Sequence, residues 1–320
     1  MPRRKTALAT LAFLSPFTAE FLLGDQYLVG PPTPRQIGMF ALFVALYGAG
    51  AILIREIARR AGRGWPTILT LALAYAVLEE GLLTQSLFNP DYANAHLLDE
   101  GFIPGLGIAG PWTVYVLTLH VVWSMATPIA ITEALFGRDP WLRPLGITLW
   151  TVLLAIGAAA TFTVSLFMGA RHFLAHPAQL ATSAVIALAL IVVALRVFRF
   201  PIQGTPRING WAGFALGLGA SSAFQVVMRN SEWFSSAWLA TALMLGLESL
   251  TVFAVLRLRP PVFPLAAGAA ITYCWLGFGP ALKVGTGGAA EQSVLVAATL
   301  ALLACTAVRT HSAQLRTPVQ

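Results

Sequence analysis

Charge is what this chain has least of. Asp, Glu, Lys and Arg make up only 10% of its 320 residues, whereas 57% are hydrophobic and the mean hydropathy is +0.75. A soluble domain usually carries about 25% charged residues, so this scarcity excludes a water-soluble fold. Cysteine is nearly missing too. Cys274 and Cys305 fall in apolar runs without a CxxC or a histidine-rich neighbourhood, so they read as packing residues. Three signatures are also absent: HExxH for zinc hydrolysis, a GxSG-like serine elbow, and a Walker A loop. ATP-driven transport would therefore need a partner, and neither a metal nor a cofactor is expected.

What is present is a succession of apolar runs of about 20 residues, the length that crosses a hydrocarbon core of roughly 30 Å. The fold class is all-α, a polytopic transmembrane helical bundle. Ten spans are predicted: 6–24, 37–57, 67–87, 112–136, 145–168, 178–199, 211–229, 233–256, 264–282 and 291–308. Residues 1–24 begin like a signal peptide, but they lack a small-residue cleavage site and Glu20 interrupts their end. They read as a retained first span. Short connections rich in Pro, Gly and Arg leave a single membrane domain over 1–320. Residues 1–144 form the half with buried charge, and 145–320 form an apolar surround.

The net charge of +7 would suggest nucleic acid in a soluble protein. Here topology accounts for it. With both termini cytoplasmic, only Arg35, Arg171, Arg229 and Lys283 fall outside, and Arg55 lies in a span. The other 15 of the 20 basic residues fall inside. That bias follows the positive-inside rule and points to a bacterial cytoplasmic membrane, with the lipid bilayer as the first partner and no nucleic acid.

Ionisable residues inside spans are costly, at about 2.5–3.5 kcal/mol each near the bilayer centre, and therefore nominate function. They are Glu20, Arg55, Glu56, Glu79, Glu80, His120, Glu133 and Glu248. At 1.5 Å per residue, Glu79 and Glu80 lie roughly 10–12 Å below the outer end of the third span, and His120 lies at a similar depth in the fourth. The three could meet in one plane. Tyr75 and Thr84 share the faces of Glu79 and Glu80, and Ser124 lies one turn from His120. Nearer the cytoplasm, Arg55, Glu56 and Glu133 read as a structural ion pair. Glu20 and Glu248 are isolated. The outer loop 89–111 carries Asp91, Asp99 and Glu100 without a basic residue and reads first as a solvated connector.

A double glutamate in one span followed by a histidine in the next resembles the CAAX-protease and bacteriocin-processing membrane family. Its pattern is EExxxR, then FxxxH, then HxxxN or HxxxD. Here "EEGLLT" supplies Glu79 and Glu80, with Thr84 in the arginine position. "VLTLH" supplies His120, with Val116 in the phenylalanine position. "HFLAH" offers His172 and His176 for the third element. The resemblance implies an intramembrane peptidase in which a glutamate activates water and His120 stabilises the oxyanion, without a redox cofactor. Its substrate would be a membrane protein or peptide. Two other readings stand beside it: a proton-coupled carrier of a small solute using the same residues, and a non-catalytic scaffold whose buried polar groups specify packing.

Overall fold

The computed structural model describes residues 2–29, 33–167, 172–198 and 205–316; Arg171 and Arg199 of the charge tally lie outside them. Among the described residues the chain is a bundle of ten helices. They are α1 (Pro2–Pro16, continued by a π turn at Phe17–Phe21), α2 (Pro34–Arg60), α3 (Trp65–Leu83), α4 (Gly110–Phe136) and α5 (Pro144–Leu166). The second half adds α6 (Pro177–Arg196), α7 (Gly210–Arg229), α8 (Ala237–Leu258), α9 (Val262–Val284) and α10 (Thr286–Arg316). Nine of them, α2 to α10, are long and apolar enough to cross a bilayer. The predicted first span is also a helix, but Arg3, Arg4 and Lys5 at its start and Glu20 at its end shorten its apolar run.

Proline and cap chemistry set where these helices begin. Pro34, Pro66, Pro111, Pro144 and Pro177 occupy the first or second helical position, where a missing N–H costs nothing. Thr33 with Gln36, and His176 with Gln179, form reciprocal capping boxes, each satisfying two backbone donors that the helix start leaves free.

Burial divides the helices. In α2, α3 and α4, 61% of the most apolar window is inside the protein, against 6% in α5 and 17% in α6, α8 and α10. α5 shows why. Leu145, Leu149, Val152 and Ile156 follow one helical stripe and are exposed, as lipid-facing side chains are, while Gly157, Thr161 and Ser165 form the buried stripe. α9 departs from the expectation of an apolar surround, because half of it is buried. Its Gly268 meets the α7 backbone at Phe214 and Leu218, and Gly217 of α7 meets Leu265, so small residues let the two backbones touch. Tyr273 of α9 stacks on Trp123 of α4 at 4.6 Å, and the Trp123 indole N–H donates to Ala269 O at 2.8 Å. α9 thus closes the core opposite α2 and α3.

One end of the core is locked by charge. The Arg55 guanidinium is fully buried and lies 3.5 Å from the centre of the Trp141 ring. It donates to Glu133 at 3.1 Å, Glu56 at 3.3 Å, Gly137 O at 3.2 Å and Asp139 O at 2.8 Å. Arg59 grips both oxygens of Glu133, at 2.7 and 2.6 Å. Glu56 accepts from Arg60 at 2.9 Å and from the backbone of Trp141 and Leu142 at 3.0 Å. Every partner here is satisfied within the protein, which makes the network a clasp between α2, α4 and the 137–143 connection.

Candidate functional site

The opposite half of the core holds Glu79, Glu80 and His120. Neither propensity nor hydrophobic period marks what brings them together. Four helices widen into π turns: Phe17–Phe21 in α1, Val44–Gly48 in α2, Glu79–Leu83 in α3 and His120–Ala126 in α4. Each carries polar groups of one cluster, namely Glu20, Tyr47, Glu79 with Glu80, and His120. A π turn admits one extra residue and re-aims the side chains around it, and such turns occur frequently at functional sites.

Widening the helix also frees backbone carbonyls. In α4 the switch from π to α spacing coincides with Pro128, which has no N–H, so Trp123 O and Ser124 O both lose their intrahelical donor. Two hydroxyls of α1 replace it: Ser15 donates to Ser124 O at 2.6 Å and to Tyr47 O at 3.1 Å, and Thr18 donates to Trp123 O at 2.8 Å. The two side chains are fully buried. Buried backbone acceptors left without partners would be costly.

Within the cluster the imidazole of His120 lies between two carboxylates. Its Nε2 is 2.7 Å from Glu80 Oε1, and its Nδ1 is 3.3 Å from both Glu79 Oε2 and Ser124 Oγ. Tyr47 stacks on the ring at 5.9 Å, and Tyr75 meets it more nearly edge-on at 6.3 Å. Glu79, Glu80 and His120 are 1, 5 and 6% exposed, so their electrostatics act with little screening by water.

The glutamates differ in what holds them. Both oxygens of Glu80 are occupied. Oε1 meets His120, while Oε2 accepts from Thr84 at 3.0 Å and from Ser86 in a short hydrogen bond. Trp112 in turn donates to Ser86 Oγ at 3.2 Å. Glu79 Oε2 has no hydrogen-bond partner among the described residues, because its approach to His120 lacks hydrogen-bond geometry. The Tyr75 hydroxyl is buried and faces the Glu79 carboxylate, outside strict hydrogen-bond geometry.

The cluster's donor atoms lie within 4.8 Å of one another, a composition that suits a divalent ion. The carboxylates engage opposite ring nitrogens, whose lone pairs diverge. One ion could take one of those nitrogens with an oxygen from each glutamate, so the three residues could hold a metal as well as pass a proton.

The remaining predicted positions fall as follows. Thr84 stands in the arginine position and donates to Glu80, and Val116 is buried. His172 and His176 lie apart from the cluster. The first is exposed and edge-on to Phe167 at 5.1 Å, and the second is exposed and caps α6 by accepting from Ala178 N at 3.2 Å. Glu248 accepts from Thr118 in a short hydrogen bond, outside the cluster. Glu20, isolated in the sequence, lies in the π turn of α1 beside Tyr47 of α2.

Two residues of the site lack any sequence signal. Ser86 lies beyond the helical part of α3, and Gln85, with φ +56°, turns the chain back so that Ser86 reaches Glu80. Gln85 is itself buried and accepts from Ala175 N at 2.7 Å. The connection that follows is ordered in part by an antiparallel pair, Phe102–Ile103 (β1) with Ile108–Ala109 (β2).

Residues 9–317 match a family described as an uncharacterized membrane protein family. No curated protein and no solved structure matches the chain. With nearly the whole sequence covered, the chain belongs to that family and is a multi-pass integral membrane protein.

Proposed function

We propose that this member of the family is an intramembrane peptidase, in line with its resemblance to the CAAX-protease and bacteriocin-processing family, and that it works in a bacterial inner membrane. The observation that carries this reading is the asymmetry of the glutamates. Glu80 is saturated and fixes the imidazole, while Glu79 Oε2 is buried 3.3 Å from His120 and meets no partner in strict hydrogen-bond geometry among the described residues. In this reaction Glu79 accepts a proton from water, and the water oxygen attacks the carbonyl carbon of a membrane-embedded peptide. The proton then passes from Glu79 to the leaving amine as the C–N bond breaks. His120, held between two negative groups, stabilises charge in a site with little water.

The test compares new peptide termini, read by mass spectrometry, in membranes from cells making wild type or Glu79→Gln protein at equal level. Wild type should generate termini that the variant lacks. Identical sets would overturn the peptidase.

One observation favours a second reading. Glu20 and Tyr47 extend the cluster toward the end of α1, while His172 and His176 stay outside it. That chain of ionisable groups suits a proton-coupled carrier. Reconstituted liposomes separate the two: a carrier moves protons when its solute is supplied, and Glu20→Gln stops it.

A further inference from the structure

We propose that Tyr75 is the catalytic residue that donates to the oxyanion during peptide hydrolysis; this rests on the peptidase reading and names a group that reading leaves open. Attack on a carbonyl places negative charge on oxygen, and a fixed donor must meet it. The histidines of the resemblance's third element lie on the surface, and both ring nitrogens of His120 already face carboxylates, so His120 contributes charge rather than a free N–H and the donor must be another group of the cluster.

The cluster contains three hydroxyl side chains around His120 and Glu79. Ser124 is engaged with His120 Nδ1. Tyr47 lies flat on the imidazole, with its hydroxyl shared between the surroundings of Glu20 and Glu79. Tyr75 is the one whose buried hydroxyl faces the Glu79 carboxylate without meeting strict hydrogen-bond geometry, so it stands beside the atom that would take the proton from water. It stands one turn before Glu79 on α3, so both project from one face. Its position is built in by a neighbour. A Cβ on Gly50 of α2 would stand 2.6 Å from Tyr75 Cε2, closer than any real contact, so Gly50 provides the room that the ring occupies.

The step balances without another reactant. Water gives a proton to Glu79 and its oxygen bonds the carbonyl carbon. The π pair moves to the carbonyl oxygen, which accepts from Tyr75 O–H, and collapse of the intermediate expels the amine with the proton held by Glu79. Tyr75 keeps its own proton throughout.

The experiment measures kcat and KM of the reconstituted full-length protein on a peptide substrate found by the terminus comparison, with thermal unfolding of each variant as a control. Tyr75→Phe should lower kcat by about 10²- to 10³-fold and change KM little, since a lost oxyanion donor acts in the transition state. Gly50→Ala should also lower kcat, whereas the double variant should be no slower than Tyr75→Phe alone. An active wild type whose Tyr75→Phe form keeps kcat within twofold overturns this role and leaves the peptidase standing. A wild type that cleaves nothing overturns both.

Discussion

Glu80 and Glu79 are neighbours in the sequence and opposites in the structure. Thr84 and Ser86 both donate to one oxygen of Glu80, where the resembled family has an arginine. Two neutral hydroxyls hold the carboxylate in place without adding charge beside His120. A hydrogen bond to a charged group contributes about 1.5–3 kcal/mol, so Ser86→Ala should cost about 2 kcal/mol, read as a lower unfolding temperature in detergent. If the proposed peptidase activity is present, the change should also slow it by loosening the grip on His120. An unchanged melting curve would mean that Ser86 does not hold Glu80. The expense of buried charge made Glu79, Glu80 and His120 legible in the sequence, since residues so costly to place need a reason. Ser86 was not legible because a backbone turn at Gln85, not a periodic pattern, delivers it. Tyr47 escaped notice because an aromatic residue in an apolar span is ordinary.

At the scale of the element, the four π turns separate what was expected from what was found. Span positions follow from length and hydropathy, and the helices lie close to the predicted ranges. A π turn has no composition of its own, so a reading based on 3.6 residues per turn passes over it. Pro128 is the one visible hint, since a proline inside a span loosens the helix around it. The structure adds that α1 compensates for it through Ser15 and Thr18. A double-mutant cycle follows. Ser15→Ala should destabilise the protein by about 1 kcal/mol, and in a Pro128→Ala background the cost should shrink, because position 128 then supplies an N–H to the freed carbonyl. Additive effects in chemical unfolding would show that Ser15 and Pro128 are uncoupled.

Across the whole molecule, the helices sort by what they touch. α5, α6, α8 and α10 turn most of their surface to lipid, and α9 joins the core. Reading α9 as part of the surround failed because hydropathy reports that a helix is apolar, not what it faces. Only small residues at the α7 contact and the stacked Trp123–Tyr273 pair place α9 inside. Orientation rests on charge alone: the positive-inside rule predicts that the arginine-rich end faces the cytoplasm. In a background free of Cys274 and Cys305, a membrane-impermeant maleimide added to intact cells should label His176→Cys and leave Arg63→Cys unlabelled until the cells are opened. The reverse pattern would invert the bundle and with it the side from which a substrate enters.

The link between Ser15 and Ser124 spans 109 residues, and synthesis runs in one direction. At about 5–20 residues per second, α1 waits roughly 5–20 seconds for α4. During that time its hydroxyls bond only locally or to transient neighbours, and α4 enters with two carbonyls that its own backbone cannot satisfy. The first helix made therefore acts as a template that completes a later one. The site then assembles in birth order, and its last connection closes only after α4 has left the ribosome.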